Sequence, residues 1–153
     1  RVEEILNSAG KGARVVILPG AASAPDFGVE SEPQRVMMGR KTPHALTEAI
    51  VESDLFLKQW VDVESVAAAN GWVSVVEPGV VAAREVGRGQ LVTCSLYPDA
   101  LQGTRAGVKA QWLWNALFTA LGADGTPGDS LLRPARALYE TNEWETRPGY
   151  INW

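Results

Sequence analysis

Few side chains in this sequence could do chemistry, and they lie far apart along the chain. Cys94 is the only cysteine and His44 the only histidine. A thiol nucleophile needs a base within hydrogen-bond reach, and sequence distance alone does not forbid that pairing. It also needs exposure, ordinarily on a sharp strand-to-helix turn with glycine two residues away on each side. Val92 and Leu96 hold those places. Cys94 therefore reads as a thiol inside an apolar strand, buried and inert. His44 follows Pro43 at a helix start, which makes it a surface or capping histidine.

Asp54, Asp62 and Glu64 gather around Trp60. Two carboxylates placed across a sugar ring can hydrolyse a glycosidic bond. Carboxylates are equally common at turns and helix ends, and no catalytic residue is assigned on this spacing. One thiol and one imidazole exclude zinc sites of the usual thiolate spacing. No metal and no cofactor is implied. Gly87-Arg88-Gly89 lacks the phosphate-loop pattern and a helix directly after it. Its glycines are expected in a turn that needs positive φ.

These residues must be held by a fold, and 153 residues are enough for one domain. Hydrophobic residues make up 46% and charged residues 21%, which supports a packed core. The net charge of −4 argues against a surface built for nucleic acid. No apolar run reaches the roughly 18 residues of a membrane helix, and no signal peptide is visible. The compartment stays open. Six tryptophans are many for this length and point to core, partner or sugar contacts.

In chain order, Val2, Ile5, Leu6 and Ala9 mark one face of a helix that Gly10 and Gly12 stop. Arg14 to Leu18 reads as a buried parallel strand, and Gly20 to Pro33 as a long loop past its C-terminal end. Arg35 to Gly39 is a short strand. Ala45 to Ile50 is a short helix, with Thr42 as cap and Pro43 at its first position. The segment from Val61 to Ala69 is ambiguous between strand and helix. Trp72 to Val76, Val80 to Val86 and Gln90 to Leu96 are strands, joined so closely that they must be antiparallel. Thr104 to Leu121 is the longest helix, with Val108, Trp112, Ala116, Leu117, Ala120 and Leu121 as its apolar stripe. Trp112 and Trp114 lie about 200° apart on it, so one must look outward or into a second layer.

Three stretches carry a family resemblance. Gly87-Arg88-Gly89-Gln90-Leu91-Val92-Thr93-Cys94-Ser95-Leu96, with the helix around Trp112-Leu113-Trp114-Asn115-Ala116-Leu117, is similar to the end of glutamine-amidotransferase-like domains. These flavodoxin-like modules accompany large glycoside hydrolases of the family-two and β-galactosidase type. Gly12 to Leu18 resembles their core strand. Pro43-His44-Ala45-Leu46, leading to Asp54-Leu55 and Trp60, resembles a further segment. The resemblance covers roughly residues 1–122. The catalytic elbow of active members has no match here, so no catalytic residue is carried over.

The expected fold is α/β, a three-layer sandwich on a mainly parallel central sheet with antiparallel strands at one side. An N-terminal βα unit is expected upstream of Arg1. Residues 1–122 would form the amidotransferase-like domain. Residues 123–153 would be a linker and the start of a following β segment or an interdomain tail. The implied function is a non-catalytic accessory or interface domain of a multidomain glycoside hydrolase. The alternatives are an active amidotransferase-like or ThuA-like hydrolase with its catalytic residues outside this chain, and a carbohydrate-binding module. Trp60, Trp114, Trp144 and Trp153 are the carbohydrate or interface candidates. Expected partners are other domains of the parent chain, carbohydrate and a second copy; nucleic acid and membrane are not expected.

Overall fold

The computed structural model describes residues 1–18 and 24–122. The expected linker and tail, with Trp144 and Trp153, lie outside the described residues. Two α-helices and seven strands appear in the order α1 (Val2–Gly10), β1 (Arg14–Ile17), β2 (Ser31–Met38), β3 (Arg40–Lys41), β4 (Phe56–Val66), β5 (Trp72–Glu77), β6 (Val81–Val86), β7 (Gly89–Cys94) and α2 (Arg105–Ala120). Five strands form one sheet in the order β1-β7-β6-β5-β3, and β2 and β4 form a separate antiparallel ribbon.

The three-layer α/β sandwich on a mainly parallel sheet is therefore corrected to a strand-rich mixed fold. Only β1 and β7 run parallel; β3, β5, β6 and β7 are joined by antiparallel pairings. The physical reason lies in the connections. Parallel neighbours need a crossover of a dozen or more residues. After Trp72 the chain instead turns at Pro78-Gly79 and again at Gly87-Arg88. Ser31 to Pro33, at the end of the expected loop, and Val61 to Val66, in the segment ambiguous between strand and helix, are strand residues of the β2–β4 ribbon.

Alternation along the strands builds the core on both faces of the large sheet. Leu91, Ala82 and Trp72 pack with Ala9 and the apolar face of α1. Val92, Cys94, Val81 and Ala83 pack on the other side with α2 and with Val36, Leu57, Val61 and Val63 of the ribbon. α1 begins with Glu3 and Glu4 in its first turn, where carboxylates suit the positive end of the helix dipole. α2 is capped by Thr104, whose Oγ1 accepts from the Gly107 N–H at 3.0 Å.

The buried seam of α2 runs along Ala106, Ala110, Leu113 and Leu117. This differs from the expected stripe. Both Trp112 and Trp114 are buried as well, at 3% and 8% exposure. β4 and the short 3-10 turns at Ala45–Thr47, Glu52–Leu55 and Pro98–Leu101 all contact the helix, so it is enclosed on several sides.

The Gly-Arg-Gly turn joins β6 to β7, and its two glycines serve different needs. Gly87 has φ +57°, a left-handed conformation that most L-residues avoid. Gly89 is not in that region. A Cβ there would fall on the carbonyl oxygens of Ala9 and Ala13, so this glycine lets β7 lie close under the end of α1.

Candidate functional site

Cys94 sits at the end of β7 with no solvent exposure. Its Sγ lies 3.8 Å from the Leu96 carbonyl oxygen. Burial pushes the thiol from 9.0 up to about 12, with the Leu96 contact a smaller opposing effect. The thiolate is the nucleophilic form, and this environment disfavours it. Cys94 is a core side chain.

His44 is half-buried and caps the 3-10 turn Ala45–Thr47; its Nδ1 accepts from the Leu46 N–H at 3.1 Å. The expected cap, Thr42, instead donates to the carbonyls of Ser74 and Val75. His44 borders an open cleft with Lys41, Glu48 and Glu52. Lys41 is drawn away to the Ile50 carbonyl at 2.7 Å. The capping bond occupies the Nδ1 lone pair, leaving that atom unable to act as a base without losing the cap.

The three carboxylates are not brought into one catalytic pair. Asp54 is 4% exposed, and its Oδ2 accepts from the Val51 N–H at 3.2 Å. It belongs to the 3-10 turn Glu52–Leu55 against α2, of which Asp54 and Leu55 are buried. Lys109, 2% exposed, reaches that turn from α2 and donates to the Ser53 carbonyl at 2.7 Å. Asp62 and Glu64 lie on the outward face of β4, both exposed. Glu64 accepts from Ser31 at 3.4 Å. Among the described residues no group of three or more His, Cys, Asp or Glu side chains could hold a metal ion.

What the structure does assemble is an exposed aromatic face on the ribbon. β4 alternates, burying Leu57, Val61 and Val63 while exposing Phe56, Trp60, Asp62 and Glu64. β2 lies antiparallel with Arg35 opposite Asp62 and Met38 opposite Phe56. Arg35 Nε is 3.3 Å from Asp62 Oδ1, and its guanidinium lies 5.8 Å from the centre of the Trp60 ring. An exposed ion pair of this kind contributes little stability, about 0–1 kcal/mol. Its effect here is to set Arg35 against the indole. Trp60 is 56% exposed and Met38 57%. Lys58 lies 5.6 Å from the Phe56 ring and has φ +62°. A non-glycine residue in that region costs on the order of 1 kcal/mol. Such outliers concentrate at functional surfaces.

Trp60 is thus displayed, whereas Trp114 is turned inward. The Trp114 Nε1 donates to the Leu96 carbonyl at 2.6 Å, and its ring centre is 5.6 Å from that of Phe118. Sequence reasoning missed Arg35 as a neighbour of Trp60. Their proximity comes from the β2–β4 register, which sets Arg35 opposite Asp62, two residues along β4 from Trp60.

No family model matches the chain, and no curated protein matches it either. Among the described residues no helix is long and apolar enough to cross a membrane.

Proposed function

We propose that this chain is a non-catalytic accessory domain of a multidomain glycoside hydrolase, meeting its neighbours through the outward face of the β2–β4 ribbon. The observation that carries the reading is Trp60, displayed on β4 against Arg35 of the Arg35–Asp62 pair, with Met38 and Phe56 also exposed on the ribbon. Aromatic residues and arginine dominate the energetics of protein contacts, where one central tryptophan can contribute about 2 kcal/mol or more. The glycosidase context rests on the resemblance, whose strand and helix motifs fall on β1, β7 and α2. The states of Cys94 and Asp54 support a role other than chemistry: one is a core thiol and the other a buried cap.

Purified chain incubated with aryl glycosides and with glutamine should release neither phenol nor ammonia above buffer. Turnover that disappears in Cys94→Ala or Asp54→Ala would overturn the reading.

The same face favours a second reading, a carbohydrate-binding module. An indole can stack against the C–H face of a sugar ring while Arg35 and Asp62 offer a donor and an acceptor beside it. Saturable quenching of tryptophan fluorescence by neutral oligosaccharides, lost in Trp60→Ala, would select this reading over protein contact. A flat titration would remove it.

A further inference from the structure

The turn between β4 and β5 holds a reactive pair, and the role of that pair does not rest on the reading above. Asn70 and Gly71 both have positive φ, +54° and +83°, and the Trp72 N–H donates to the Ala69 carbonyl at 2.9 Å. This is a type I′ turn, for which Asn-Gly is a favoured pair. Turn geometry explains the two residue types. It does not explain where the Asn70 side chain goes. Its Nδ2 donates to the Gly28 carbonyl at 3.1 Å and to Glu30 Oε1 at 2.9 Å.

Those two bonds fasten a strap, residues 25–30, to the turn. The same strap is held by Trp72 Nε1 and Arg84 Nη1, which donate to the Phe27 carbonyl at 3.1 and 2.9 Å. The Ala67 N–H donates to the Glu30 carbonyl at 2.8 Å. Phe27 of the strap and Trp72 of β5 are both buried and belong to one core cluster with Ala9 and Leu91. Asn70 thus locks a segment that helps to close the core on the α1 side of the sheet.

Asn-Gly is also a sequence at which a chain can attack itself, because a residue without Cβ lets its backbone nitrogen reach the preceding carboxamide. Asn70 is the only one of the five asparagines followed by glycine. Both residues of the pair are exposed to water. We propose that Asn70 is a self-modification site, a one-way latch whose deamidation releases the strap. The Gly71 nitrogen gives up its proton and bonds to Asn70 Cγ. The side-chain nitrogen leaves as ammonia with that proton, and a succinimide ring closes. Water then adds to one of the two ring carbonyls and breaks its bond to the Gly71 nitrogen, which regains a proton. Addition at Cγ gives aspartate; addition at the main-chain carbonyl gives isoaspartate.

Either product removes the latch. In the aspartate product a carboxylate stands where the Nδ2 donor stood, facing the Gly28 carbonyl and the Glu30 carboxylate. Two hydrogen bonds become two repulsions. In the isoaspartate product the main chain itself runs through Cβ and Cγ, so the turn loses its donor and changes length. The latch bonds hold the carboxamide in the closed turn, so ring closure proceeds through turn opening and is slower than in the unfolded chain.

Peptide mapping by mass spectrometry, on folded chain aged in warm, mildly alkaline buffer, tests the chemistry; chain aged in urea is the reference. Asn70 should convert ahead of the other asparagines, with an isoaspartate product, and more slowly than in urea. In the converted fraction, hydrogen exchange at the Ala67 amide and the Trp72 indole N–H should be about tenfold faster, the scale of one or two lost hydrogen bonds. Asn70→Asp should show the same acceleration without ageing. Glu30→Gln in that background supplies an Nε2 donor to the new carboxylate and should recover part of the protection. Asn70→Gly suits the positive φ and removes only the latch, so it should loosen the strap with no response to Glu30→Gln. Folded chain left unconverted at Asn70 while the urea sample converts would overturn the proposal. So would conversion that leaves exchange at Ala67 and Trp72 unchanged, or an Asn70→Asp strap indifferent to Glu30→Gln.

Discussion

Replacing Gly89 by alanine should be among the most damaging single-methyl changes available in this chain. The added Cβ would meet the carbonyl oxygens of Ala9 and Ala13 and come within 2.9 Å of the Gly12 carbonyl carbon. All three are backbone atoms, so no side-chain rotation relieves the contact. The end of α1 and the start of β1 must move away from β7 together. That loosens the Gln90–Ala13 bond and the packing of Ala9, which has no exposure in the native chain. Overpacking costs about 1–3 kcal/mol, and immovable neighbours place Gly89→Ala near the upper end. In a domain of this size that lowers the melting temperature by roughly 10 °C. Gly10→Ala is the control. It adds the same methyl at the end of α1, where nothing lies within 4 Å of the new Cβ. It should be neutral or stabilising by up to about 1 kcal/mol, because alanine favours helix. Urea denaturation of both variants, with similar slopes, gives the comparison. A Gly89→Ala protein within about 0.5 kcal/mol of the wild type would refute the close approach of α1, β1 and β7.

Three smaller predictions follow from the same geometry. Lys109→Met keeps the volume but leaves the Ser53 carbonyl without its buried donor; it should lower stability by about 1–3 kcal/mol in the same urea assay. His44→Ala removes the cap on the Leu46 N–H and should cost about 0.5–1 kcal/mol, with no dependence on any added substrate. Trp60→Ala should leave the melting temperature within about 2 °C of the wild type, since the ring is largely exposed; a large loss would show that this tryptophan serves the core instead of the surface.

Much of the larger sheet could be seen in the sequence because its signals are local. Glycine and proline punctuate β5, β6 and β7, and the spacing of Val2, Ile5, Leu6 and Ala9 defines α1. The burial of Cys94 was legible too, from the apolar residues around it. The ribbon was not. β4 carries Glu64 and runs directly into Ala67-Ala68-Ala69, which blurs strand against helix. β2 contains Pro33, which is tolerated because this strand lies at an edge. Its partner is far away in sequence, so neither the pairing nor the Arg35–Trp60 contact has a local signature. Trp114 shows the limit from the other side. Helical spacing placed it away from Trp112 and suggested an outward role, but an enclosed helix buries both.

The most direct test of the central claim, that the only cysteine is a core side chain, is the alkylation rate of Cys94 in the folded chain. A thiol raised from 9.0 to about 12 by burial is protonated in the folded state across the intervening range, while the unfolded thiol ionises near 9.0. Its contribution to stability is therefore complete below pH 9.0 and is lost as pH rises through that window toward 12. With iodoacetamide between about pH 7 and pH 9, the native protein should react only as fast as it opens, with full reaction after denaturation. Rapid labelling of the folded chain with a midpoint below about pH 8 would contradict the claim and return Cys94 to the list of catalytic candidates.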